Sequence, residues 1–127
     1  MVKARIGSPG QQGFTLIEII AVLVILGILA VVAVPKYFSL QDDARRAAAQ
    51  GLVAAAQSQL SLGYANQKLN SSYGFATTAT ALNAECQKVS VSGNAYIRCD
   101  AGSNNGATIQ GYVDGVNNSG VWNNPEG

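Results

Sequence analysis

The sequence predicts an α+β chain: a long N-terminal α-helix, membrane-spanning in its first half, packed through its second half on a small antiparallel β-sheet head. Three observations predict it. Residues 19–35 carry no charge and are nearly all Ile, Leu, Val or Ala. Residues 36–66 keep a helical register, with apolar positions at steps of three and four. From Lys68 onward the chain is rich in Gly, Asn, Ser and Thr, and its apolar residues fall in short runs between turn signals.

A length of 127 residues allows one small domain plus an extended element. The net charge of +1 argues against a basic nucleic-acid-binding domain, so no direct nucleic-acid partner is indicated. In the back half Lys68, Lys88 and Arg98 stand against Glu85, Asp100, Asp114 and Glu126, with no run of either sign. Histidine is absent and no carboxylate pair sits near a Gly-rich loop, so an enzyme fits badly.

Residues 1–13 read as a positively charged leader. They hold Lys3 and Arg5, no acidic residue, and helix breakers at Gly7, Pro9 and Gly10. Basic residues before an apolar run hold that end inside the cell. An ordinary secretory signal is cleaved after its apolar run, whereas the candidate junction here precedes the run. Residues 14–35 are the membrane span, with only Thr15 and Glu18 polar. About 20 residues cross a hydrocarbon core of roughly 30 Å. A buried soluble helix is the competing reading, and the leader favours the span.

Residues 36–66 continue the helix amphipathically. A charged turn at Asp42, Asp43, Arg45 and Arg46 is followed by Ala47, Ala48, Ala49, Leu52, Ala54, Ala55, Ala56, Leu60 and Leu62, mixed with glutamines. Alanine and glutamine favour helix. Gly27 and Pro35 are the weak points, and a bend is expected near Pro35. Gly63, Asn66 and Asn70-Ser71-Ser72 are stop signals.

Residues 67–127 are the globular head. Val89 and Val91, then Tyr96 and Ile97, flank the turn chemistry of Ser92-Gly93-Asn94. With Ser92-Gly93 as a two-residue turn, Cys86 falls opposite Cys99, and a bridge would staple the ends of one hairpin. An even cysteine pair in an exported domain reads as one disulfide, with two reduced thiols as the alternative. Two cysteines without histidine are too few ligands for zinc, and no metal or cofactor is expected. A strand is expected at residues 108–113, with Ile109 and Val113 on one face, and a short one at Gly120-Val121-Trp122. The helix stripe from Ala48 to Leu62 is expected to cover the sheet.

Gly13-Phe14-Thr15-Leu16-Ile17-Glu18, with the basic leader, the apolar run and Pro35, resembles the N-terminus of type IV prepilins. The similarity covers about residues 11–46. It implies the pilin fold, cleavage after Gly13 by a prepilin peptidase, and N-methylation of Phe14. Glycine suits such a junction, because a residue without a side chain lets a protease approach the backbone closely. The alternative is a helix breaker before a signal anchor.

Glu18 is a carboxylate in an apolar span, which costs several kcal/mol unless paired. The resemblance implies that it meets the Phe14 amine of a neighbouring subunit, setting register in a filament. The alternative is a snorkelling or protonated glutamate. Gly27 and Pro35 are implied to let the helix loosen during extraction from the membrane.

The implied function is a structural, non-enzymatic subunit of a type IV pilus, a major pilin, serving surface attachment or motility. The implied partners are further copies of the chain, the prepilin peptidase, the pilus assembly platform and, before assembly, the bacterial inner membrane. The assembled form is extracellular. A pseudopilin of a type II secretion system shares the front end. Major pseudopilins usually end in a calcium-binding loop and lack such a cysteine pair, although Trp122, Asn123, Asn124 and Pro125 faintly resemble their tails. Asp114, Asn117, Asn118 and Asn123 lack the spacing of a calcium loop. Membrane-anchored periplasmic enzymes or binding modules are more distant alternatives. Asn70-Ser71-Ser72 and Asn117-Asn118-Ser119 fit the N-glycosylation pattern, which is common by chance.

Overall fold

A computed structural model describes residues 13–127. The predicted leader, apart from Gly13, lies outside the described residues. The elements are helix α1 (Leu16–Leu69), helix α2 (Ala79–Cys86) and strands β1 (Ala95–Ala101), β2 (Ala107–Val113) and β3 (Val116–Trp122). They form an α+β arrangement, consistent with the class predicted. The chain divides into two compact units, one ending at Phe38 and the other Ser39–Gly127. Each is described by itself.

The first unit is the apolar part of α1. Pro35 falls inside the helix. Every residue from Gly13 to Phe38 is exposed, including Leu16, Ile17, Leu23, Ile28 and Val31. An all-round apolar helix with nothing covering it is the pattern of a membrane span or of a helix buried by other copies.

In the second unit, α1 packs on one face of the sheet. Ala49, Val53, Ala56, Leu60 and Gly63 are buried, at alternating steps of four and three. This corrects the phase of the expected stripe: Ala48, Ala54 and Leu62 are exposed. A helix so rich in alanine has little contrast between its faces, so its period is legible and its phase is not. The sheet has order β1-β2-β3, antiparallel throughout. Asp114 and Gly115 make the β2–β3 loop, with φ of 48° and 83°. Both are left-handed, as a two-residue type I′ loop demands.

Ile97 and Cys99 from β1, Ala107 and Ile109 from β2 and Trp122 from β3 join Leu60, Phe75 and Leu82 in the core. The helix crosses the sheet where two strand residues have no side chain. A Cβ on Gly111 would lie 2.7 Å from the Ala49 carbonyl oxygen, and one on Gly120 would lie 2.5 Å from Val53 Cγ1. Gly111→Val is therefore expected to push helix and sheet apart and to destabilise the head by about 1–3 kcal/mol. Denaturant midpoints of the two chains would measure it, and equal midpoints would refute the close crossing.

The head departs from expectation at α2. Thr78 caps this helix, its side-chain oxygen accepting from the Ala81 N–H. Val89 and Val91 lie outside any strand. The reason is that α2 occupies the place a strand would take. Gln87 Nε2 donates to the Ile97 carbonyl at 2.7 Å, and the Cys99 N–H donates to Asn83 Oδ1 at 3.2 Å. Asn83 of α2 and Gln87, which caps it, thus satisfy two of the outward groups of β1. The Cys86–Cys99 disulfide consequently ties α2 to β1, rather than the two ends of a hairpin. The last strand is also longer than expected, and α1 ends at Leu69 rather than near Asn66.

Glu85 is the charged residue of this core. Its carboxylate accepts from Gln59 Nε2 at 2.9 Å, Tyr73 OH at 3.0 Å and Lys88 Nζ at 2.6 Å, linking α1, the connecting loop and α2. Burial alone would raise its pKa. The hydrogen bonds from Lys88, Gln59 and Tyr73 and the Lys88 charge outweigh burial, and the net direction is down. A lowered carboxyl pKa stabilises the fold above the ordinary value of about 4.3, and this stability is lost as pH falls through the lowered one. Glu85→Gln is expected to flatten that acid loss. Thermal scans between neutral and acid pH would measure it, and parallel profiles for the two proteins would refute it.

Candidate functional site

The residues singled out by the sequence gather at the start of α1. Gly13, Phe14 and Thr15 precede the helix in irregular backbone, and all are exposed. A Cβ on Gly13 would meet nothing within 4 Å, and Gly13 has no left-handed φ. Neither packing nor backbone geometry within the described chain requires glycine there. A requirement would come from something that acts on this bond from outside. Phe14 is 84% exposed, so the bond and the ring after it are accessible together.

Thr15 and Glu18 close the helix start on each other. The Thr15 N–H donates to Glu18 Oε2 at 2.8 Å, and the Glu18 N–H donates to Thr15 Oγ1 at 3.3 Å. This reciprocal pair is a capping box, satisfying two of the N–H groups that a helix start leaves without partners. The carboxylate also lies at the positive end of the helix dipole. Sequence reading missed this role of Thr15. The signal was present, since Thr-x-x-Glu before an apolar run is the pattern of that box.

A shallow groove runs from Glu18 along the helix, lined by Phe14, Glu18, Ile19, Val22 and Leu23. It sets one carboxylate on an otherwise apolar surface. Such a surface can offer a single charge-assisted contact to a cation arriving in apolar surroundings. Gly27 also has open space around its Cβ position. With Pro35 it lies in the same helix, away from Glu18. Cys86 and Cys99 lie in the head, both buried, and serve its core. Among the described residues, no three His, Cys, Asp or Glu side chains converge as metal ligands would. The helix is long and apolar enough to cross a membrane.

Residues 8–34 match the model of the prokaryotic N-terminal methylation motif. The match takes in Gly13, Phe14, the capping pair and Gly27. No curated protein and no solved structure matches the chain.

Proposed function

We propose that this type IV prepilin-like chain is a structural subunit of a type IV pilus. The observation that carries the reading is the methylation motif laid over an exposed apolar helix with one carboxylate in its first turn. In this reading the chain waits in the bacterial inner membrane, where lipid covers the helix. Prepilin peptidase cleaves after Gly13, and the new amine of Phe14 is methylated. The assembly platform then transfers the helix from lipid to a filament core made of the same helix from other copies.

The energetics support such a transfer. Lipid and a core of packed apolar helices are similarly apolar, so hydrophobic burial alone gives little preference between them. Directionality then comes from Glu18. In lipid its carboxylate has only the cap of Thr15, whereas in the filament it gains the Phe14 amine of a neighbour. Gly27 and Pro35 ease the helix during extraction. The head, with its Cys86–Cys99 bridge, forms the outer surface. That bridge supports a pilus over a type II secretion pseudopilus, whose major subunits usually lack it.

Mass spectrometry of the mature chain tests the reading. A chain starting at N-methylated Phe14 is expected, with surface filaments by electron microscopy that vanish when the chain is removed. A chain starting at Met1, or after Ala33, would overturn it.

A further inference from the structure

The two edges of the head sheet are treated differently. The β1 edge is occupied by α2, through Gln87 and Asn83. The β3 edge is not. Its two-residue loop makes Val113 and Val116 a hydrogen-bonded pair, so Asn117, Ser119 and Val121 turn their N–H and C=O groups away from β2. Gln57 Nε2 reaches the Val121 carbonyl at 2.9 Å. Among the described residues, nothing bonds the edge-facing groups of Asn117 and Ser119. β3 also carries no charge and no proline, two of the devices that blunt a free edge.

A second stretch of unpaired backbone lies on the α2 side of the sheet. Ser90, Val91 and Ser92 follow α2 with the polar–apolar alternation of a strand, yet lie in no strand and are exposed. Among the described residues, none bonds their backbone groups. One head therefore presents a strand without a sheet on one side and a sheet edge without a strand on the other.

We infer that neighbouring copies of this chain join heads by β-strand addition. Ser90-Val91-Ser92 of one copy pairs on the β3 edge of the next, at Asn117-Asn118-Ser119. The inference rests on the filament reading above. The two surfaces differ and lie on opposite sides of one head, so the contact is heterologous and repeats without closing, as a filament needs. Pairing of β3 with another β3 would be isologous and would stop at two copies.

The test uses intact filaments of the full chain carrying Val91→Cys and Asn117→Cys. The native cysteines are bonded to each other, so the added thiols are free to react with a short bismaleimide. The double variant is expected to give a ladder of dimers, trimers and higher species, while each single variant stays monomeric. Ser119→Pro in the double background removes one edge-facing N–H without touching the β2–β3 ladder. It is expected to cut the ladder about fivefold, the effect of losing one hydrogen bond, with helix content and disulfide retained. Dimers from Asn117→Cys alone, filaments that yield only monomer, or a ladder undiminished by Ser119→Pro would each overturn the inference. Absence of filaments from the unaltered chain, seen by microscopy before any cross-linker is added, would overturn the filament reading itself.

Discussion

Glu18→Ala is expected to leave membrane insertion and cleavage after Gly13 intact and to cut filament yield at least about tenfold. In the proposed filament the variant would remove the counter-ion of a neighbour's Phe14 amine in apolar surroundings. An unpaired charge there costs about 2.5–3.5 kcal/mol on membrane-insertion scales, and about 1.4 kcal/mol already corresponds to tenfold. The variant also removes the cap on Thr15, which a helix start loses at about 1 kcal/mol. Glu18→Gln separates the two effects. A glutamine at this position keeps the capping box but has no charge. If charge sets register, Gln also assembles poorly, and only the cap's share of the Ala loss is restored. Filament mass per cell, with membrane-bound mature chain as the control, measures both. Recovery of normal yield by Gln would assign Glu18 to the cap alone, and normal yield from Ala would end the pairing idea.

The second large effect is expected in the head. Replacing both Cys86 and Cys99 by alanine opens a loop closed over a sequence separation of 13. Loop-closure entropy for that length is worth about 3 kcal/mol. A loss of this size lowers Tm by about 10–20 °C in a unit of the head's size. Two further facts push the same way. Both sulfurs sit in the core, and the bridge holds α2 where Asn83 and Gln87 cover the β1 edge. Thermal unfolding of the detergent-solubilised mature chain measures the loss. An unchanged Tm would mean that the α2–β1 contacts suffice without the bridge.

Parts of the site and fold differ in how far the sequence discloses them. The methylation motif around Gly13, Phe14 and Glu18 was legible because a motif depends on residue type and order along the chain, not on contacts. The long helix was legible from apolar composition and period. Thr15 went unread as a cap although its pattern with Glu18 was visible. Helix α2 was hidden for a different reason. Eight residues of mixed polarity, Ala79–Cys86, carry little periodic signal, and the neighbouring Val89 and Val91 alternate like a strand. Only packing decides between them, through side chains that reach the β1 edge from α2.

By itself, then, the sequence determined that Gly13 and Phe14 open a long apolar segment with a single carboxylate, Glu18, in its first turn, and that this segment matches the N-terminal methylation motif. Those properties are local, set by residue type and order. Tertiary structure alone decided which alanine face of α1 meets the sheet, that Gly111 and Gly120 admit the helix, that Cys99 finds Cys86 on a helix, and that the β3 edge at Asn117 and Ser119 has no partner among the described residues. Each of these depends on which atoms from distant parts of the chain compete for the same space and the same hydrogen bonds.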